Sequence, residues 1–527
     1  MKNKLFGISL LTVTCMYGLL AGLVILVVML FGGDILYAII GSIIVLLIQF
    51  LISPWLTDLS MKWFYHCKFD EEIPDYLKTF IENECQKHNV KYPKIGIIND
   101  GAPNAFTYGR TKKSARIVLT RGLFELLDQN EVISVVGHEM GHIVHMDMMV
   151  MTFAQLVPLV LYAIFEMFTK NNDHSDSDSN KGAIIGIIAY ILYIISQYII
   201  LYLSRTREYY ADAFSIEETK NPNSLASALV KVGFGLSVNH TDSKHDVNKN
   251  NALGIMSSKD SKAMAITSIK NGKFDTENIK NAMKWEMWNP WAKWFEFNST
   301  HPLISKRLIA ISKRSNEFNQ APFVTFDLKK EESYVDDFLL EILISFLPSI
   351  TLIGCVFAFF AGRELFPNYY KIVLSSLIFL TTLFSFIKFT RAHKKGYTDR
   401  KVSSLLSEVK VSHITSVPCI LKGTIIGRGN PGCIFNEDFV IQDDTGIMFL
   451  DYNQPITILN KIFAIFKSEK YFNKEITVKG WYRRNPVPYV EIYEYTVDGQ
   501  TKKIFTYPLG IALHFVGLVL GIVVLFL

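Results

Sequence analysis

Three residues within five positions set the question of chemistry: His138, Glu139 and His142, in the stretch VVGHEMGHIVH. On a helix, residues four apart lie on one face a single turn apart. His138 and His142 can therefore aim ring nitrogens at one zinc ion while Glu139 stands beside the attacking water. Apolar residues at helical spacing run through TRGLFELLDQNEVISVVGHEMGHIVH, and DQN supplies an N-cap for the second of its two runs, so the pair belongs on a helix. A catalytic zinc takes three protein ligands and keeps one position open. His145 returns to the face of His138, but a further turn along the axis puts it too far away to share the ion. The longer pattern with a glycine and a third histidine also fails, because positions 145 and 148 hold His145 and Met148. A carboxylate from another helix is the other solution. LSRTREYYADAF (203–214) offers Glu208 as the third ligand, with Asp212 four residues on to orient a ligating imidazole. Taken alone, that spacing would also suit a solvated helix face.

The elements that must bring these residues together are membrane helices. Half of the 527 residues are hydrophobic, and the mean hydropathy is +0.22. Seven segments (5–31, 35–53, 149–168, 183–203, 337–361, 370–389 and 508–527) come close to or exceed the apolar length that crosses a bilayer. The first follows MKNK like a signal peptide, but its apolar run is too long and lacks an A-x-A site, so it is expected to stay as an anchor. Lys and Arg concentrate in MKNK, 54–148, 204–336 and 391–401, which places the N-terminus and the large polar regions in the cytoplasm. The third and fourth spans then form a hairpin whose two outer ends lie on the cytoplasmic side. His142 and Glu208 both stand about 8–10 Å above that boundary, which closes the site.

Between the spans, 54–148 reads as a mixed region with a helix near 71–89 and strands at 95–99 and 116–120. Residues 204–336 read as mainly helical, with a polar insertion near 237–262. From 403 to 505, short β-rich runs alternate with RGNPG, DDTG and NPVP, as in a small OB-like barrel or sandwich. Trp481, Tyr482, Arg483 and Arg484 would suit a nucleic-acid strand. Tethering between membrane helices favours a module for a protein partner or for gating, and a net charge of +5 gives no argument for nucleic acid. Trp285, Trp288, Trp291 and Trp294 recur every three residues, as a substrate collar or, more commonly, an aromatic core or belt. The six cysteines include no C-x-x-C and are read as unpaired thiols of a reducing compartment. Neither a Gly-rich phosphate loop nor a G-x-S-x-G elbow competes with the metal site.

The fold class expected is a mainly α membrane protein of about seven transmembrane helices, with a cytoplasmic gluzincin-like zinc peptidase domain and a small C-terminal β domain. Its parts are two N-terminal helices (1–53), a peptidase domain interrupted by the hairpin (54–336), two further spans (337–390), the β domain (403–505) and a final span (508–527).

PNAFTYG (103–109), HEMGH (138–142), SRTREYYAD (204–212) and STHPLISKR (299–307) occur in an order that resembles the integral-membrane zinc metallopeptidases of the gluzincin clan. That group joins HtpX-type quality-control proteases to the CAAX prenyl proteases, and the resemblance covers roughly residues 1–315. It implies one Zn2+ per chain and an endopeptidase acting on misfolded membrane proteins. Asn104 and Ala105 would present a backbone edge to an extended substrate. His301 would donate to the tetrahedral oxyanion, Arg205 or Arg207 would hold the ligand helix or the carbonyl, and Tyr209 and Tyr210 are weaker oxyanion donors. The C-terminal β domain departs from the HtpX pattern. A CAAX-type prenyl protease and a non-proteolytic membrane scaffold are the alternatives.

Overall fold

The protein is described by a computed structural model over residues 51–527, except 53, 70, 101–102, 171–176, 239–268, 271–272, 275, 328–331, 366, 429–436, 467, 486 and 527. The first expected span, nearly all of the second and most of the polar insertion lie outside the described residues. The chain divides into two compact units, Met1–Ser258 with Phe295–Thr325 and Lys259–Trp294 with Phe326–Leu527.

In the first unit, α1 (Asp75–His88) precedes a three-stranded sheet of β1 (Lys94–Ile98), β2 (Ala105–Tyr108) and β3 (Arg116–Thr120). Strand β3 lies in the middle, parallel to β1 and antiparallel to β2. Helix α2 (Gln129–Val144) carries the H-E-x-x-H residues and begins at a capping box, in which Asp128 and Glu131 each accept the other's backbone N–H. A turn then leads into α3 (Asp147–Lys170) and α4 (Ser177–Thr219).

Helices α3 and α4 pack through Ala154, Val157, Leu161, Ile185, Ala189 and Leu203. Their other faces expose Leu159, Ile184, Ile187, Ile191 and Ile195. So much exposed aliphatic surface suits hydrocarbon and not water. At 43 residues, α4 is about 65 Å long. It passes without a break from the apolar stretch expected to span into the segment that holds Glu208, so the height of Glu208 is fixed by that helix. Helices α5 (Pro222–Val238) and α8 (Ile304–Ser315) pack against this end of α4.

The second unit contains α6 (Thr276–Trp288), the first part of α7 (Pro290–Phe297), the long helices α9 (Val335–Leu365), α10 (Tyr370–Ala392) and α12 (Thr506–Phe526), and a β domain. Five described helices, α3, α4, α9, α10 and α12, are long and apolar enough to cross a bilayer. The protein is thus a multi-pass membrane protein. Strands β4 (Val417–Arg428), β5 (Phe439–Gln442), β6 (Ile447–Asp451), β7 (Glu475–Asn485) and β8 (Val487–Val497) pair in the cyclic order β4-β5-β6-β8-β7-β4, a sheet closed on itself.

Trp481, Tyr482 and Arg484 on β7 are buried. Arg484 lies over the Trp285 ring at 4.7 Å and donates to Ala282 O. Trp481, on the other face of the strand, donates to Lys394 O at 2.8 Å, so neighbouring segments of the same unit cover these side chains. Two of the spaced tryptophans are core residues as well: Trp285 donates to Val411 O at 2.7 Å and Trp291 to Glu341 Oε2 at 2.6 Å. Helix α11 (Thr457–Phe466) was not expected inside the β domain. Its apolar residues, TILNKIFAIF, are spaced for a helix, but the run is short and lies among β-rich stretches.

Candidate metal centre

Helix α2 brings His138 and His142 one turn apart, and a carboxylate orients each ring from behind. His138 Nδ1 lies 2.9 Å from Asp212 Oδ1, and His142 Nδ1 lies 2.6 Å from Asp147 Oδ2. With each Nδ1 engaged by a carboxylate, Nε2 is the ring atom that a neutral imidazole would offer to a metal. The two Nε2 atoms face each other at 3.2 Å. Glu208 approaches the same point, its oxygens 3.6 Å from His138 Nε2 and 3.7 Å from His142 Nε2. Two imidazoles and a carboxylate converging in this way have the chemistry of a divalent-cation site. The surroundings favour positive charge here. Burial opposes protonation of His142, but its hydrogen bond to Asp147 and the nearby carboxylates outweigh burial and raise its pKa to about 9.

The third donor arrives because α4 comes unusually close to α2. A side chain at Gly141 would place Cβ 3.1 Å from Ala211 Cα and 3.2 Å from Phe214 Cβ. One turn away, Ser215 Oγ donates to Ser134 O at 2.6 Å and fixes the register of the two helices. We expect Gly141→Val to destabilise the protein by about 1–3 kcal/mol through overpacking. It should also lower metal content by moving Glu208 away from the histidines. Thermal melting together with metal analysis of the purified variant checks both effects.

Asp212 is itself gripped by Arg307, whose Nε and Nη2 donate to its two oxygens at 2.8 and 2.6 Å, while Nη1 lies 3.3 Å from Glu208 Oε2. Burial works against the charge of this guanidinium, yet Asp212 and Glu208 more than restore it and raise its pKa. Arg207 pairs with Asp147 and so supports His142. Arg205 has a different task. Its Nη1 donates to the carbonyls of Glu296, Phe297 and Ser299, at 2.8, 3.2 and 2.7 Å, and so ties down the loop that leads to His301. His301 is buried with Nδ1 3.3 Å from Glu208 Oε2. Neither of its ring nitrogens makes a hydrogen bond, nor does Glu208 Oε2.

Glu139, His142, Glu208 and His301 open onto a cleft of about 380 Å³ that extends along the first turns of α3 past Met148, Met151 and Gln155. Strand β2 meets the cleft at Thr107 and Tyr108, and Thr107 Oγ1 donates to Glu139 O at 3.5 Å. Asn104 and Ala105, at the start of β2, are buried, and Asn104 N donates to Thr120 Oγ1 at 2.7 Å. The point of approach to the cleft is therefore further along the strand than those two residues. His145 is the C-cap of α2, and its ring packs against Tyr210 and Phe214.

Asp147 and Arg307 were not singled out in the sequence. Arg307 closes the STHPLISKR stretch and could have been suspected there. Asp147 had no local signal, because the turn that returns it to His142 runs through Met146 at φ 59°, a left-handed conformation that is uncommon outside glycine.

A profile of peptidase family M48 matches residues 73–315. A protease HtpX homolog of Methanothermobacter thermautotrophicus is 41% identical over 206 residues, 39% of this chain and 76% of the relative. One from Aeropyrum pernix is 27% identical over 275 residues, 51% of this chain and 82% of the relative. The crystal structure of S. mikatae Ste24p aligns over 58% of this chain and 66% of its own, with 19% identity and a TM-score of 0.34.

Proposed function

The chain belongs to the HtpX-type metallopeptidases of family M48, and from that premise we propose that it is a zinc-dependent endopeptidase cutting membrane proteins, misfolded ones above all, at the cytoplasmic membrane surface. The observation that carries the reading is the pair of facing Nε2 atoms, each imidazole oriented by its own aspartate, with Glu208 beside them. His138, His142 and Glu208 would hold the ion. When bound, zinc supplies Lewis acidity toward the scissile carbonyl and lowers the pKa of water at the site toward about 7.

The chain's own residues do the rest. Glu139, which lines the cleft, takes a proton from the attacking water as its oxygen bonds to the carbonyl carbon. It returns that proton to the leaving nitrogen as the C–N bond breaks, so it ends the cycle as it began. His301, buried beside Glu208 and with both ring nitrogens free of hydrogen bonds, is placed to donate to the oxyanion. Asp212 and Asp147 keep the two ligating rings in their tautomers, backed by Arg307 and Arg207. Strand β2 offers the backbone edge along which an extended substrate would lie, with Asn104 and Ala105 at its start. The closed β domain, which we read as OB-like, would serve a protein partner. The segments 5–31 and 35–53, read from the sequence as spans, would bring the five described helices to seven.

Replacing His301 by Gln should lower kcat by about 10²–10³-fold while KM changes little, as expected for a donor that acts mainly in the transition state. Steady-state kinetics on a quenched peptide checks this. The reading itself is tested by the products. The detergent-purified enzyme should cut an unfolded protein at internal bonds. A protein that releases only the terminal tripeptide of a prenylated peptide would be a CAAX-type protease, and one that binds metal yet cuts neither substrate would be a scaffold.

A further inference from the structure

We propose that Glu84, His88 and Glu218 form a second divalent-cation site, separate from the first, that clamps α1 to the end of the helix carrying Glu208. Glu84 and His88 stand four apart on one face of α1, and Glu218 lies in the last turn of α4. His88 Nε2 is 2.9 Å from Glu218 Oε1 and 3.4 Å from Glu84 Oε2. One donor atom from each residue falls within a common 4.8 Å, as in the His138–His142–Glu208 group. Metal bonds of roughly 2.1 Å in a tetrahedral arrangement set ligand atoms about 3.4 Å apart, so these separations suit one ion.

A second, independent observation points to a cation. Glu84 is only 6% exposed, and its Oε2, on the side facing His88, accepts no hydrogen bond. A buried carboxylate oxygen without a donor is costly unless positive charge reaches it. Lys87 acts on Glu84 only as a neighbouring charge, and burial outweighs it. It pairs with Glu218 through Oε2 from a side chain 58% exposed, which leaves Oε1 directed to His88. Burial, and then the neighbouring Glu218 carboxylate, push the Glu84 carboxyl up to about 7, in keeping with two acids crowded around one imidazole. One imidazole and two carboxylates suit a borderline or hard transition ion such as Zn2+ or Mn2+ better than a thiophilic one.

The site would act mechanically. The His88 ring packs on Phe214 at 5.0 Å, and Phe214 is among the nearest neighbours of Gly141 inside HEMGH. Holding His88 and Glu218 together therefore braces α4 where it presses against α2. This proposal does not depend on the protein being a peptidase.

The test is metal stoichiometry in the full-length chain, purified in mild detergent, stripped with a chelator and dialysed against Zn2+. Wild type should retain two zinc ions per chain, and His88→Gln, Glu84→Gln and His138→Gln one each. Glu84→Gln keeps shape at an oxygen that accepts no hydrogen bond, so it decides the matter if His88→Gln misfolds. In the His138→Gln background, added Zn2+ should still raise the melting temperature, and adding Glu84→Gln should abolish that rise. One zinc per wild-type chain, lost in His138→Gln and unchanged in Glu84→Gln, would overturn the proposal.

Discussion

Glu139→Gln is expected to lower peptide hydrolysis by about 10²–10⁴-fold, the range over which a positioned general base contributes, while metal content stays at the wild-type level. The two effects separate because Glu139 is not one of the three converging donors. It lines the cleft beside them. The amide keeps the shape of the carboxylate but cannot take a proton from water at neutral pH. A variant that lost metal together with activity would show instead that Glu139 supports the ligands, and one that kept its activity would remove it from the chemistry. Single-turnover cleavage measured beside metal analysis distinguishes these outcomes.

Arg307→Met should produce the largest loss of stability, about 3–5 kcal/mol, because it leaves a buried carboxylate without its counter-ion. The guanidinium is 1% exposed and holds both oxygens of Asp212 while also reaching Glu208. Truncation strands two buried acids in the fold. Asp212 would no longer be held against His138 Nδ1, so metal affinity should fall by about 10–100-fold as well. Arg307→Lys keeps the charge but not the two-pronged geometry, and should recover stability more fully than metal affinity. Thermal melting and competitive metal titration of both variants read these effects. Equal recovery of the two properties by lysine would mean that charge alone matters at this position.

Much of this arrangement is legible in the chain, because local pattern and local chemistry agree. H-E-x-x-H sits in a helical run with its own cap, and an apolar stretch continues directly into the segment with Glu208 and Asp212, so spacing alone brings His138, His142 and Glu208 to one level. The arginines show where such reading stops. Arg205 and Arg207 are two residues apart and look interchangeable, yet one holds the backbone before His301 and the other holds Asp147. That difference depends on the faces they occupy and on segments about 60 to 90 residues away. The partner of Arg307 lies 95 residues earlier. Closure of the β domain was equally hidden, since it depends on β4 pairing with β7 across intervening strands. The Trp481–Arg484 stretch looked like a surface and is buried, because Ala282, Trp285, Ala392 and Lys394, all distant in the chain, cover it.

The central claim, hydrolysis by this chain through a metal held at His138, His142 and Glu208, is tested most directly by cleavage of an unfolded protein before metal removal, after it, and after zinc is restored. The enzyme should lose activity on chelation and regain it as zinc is added back, with release of internal peptides. Undiminished cleavage by metal-free protein, or none by folded and zinc-loaded protein, would contradict it.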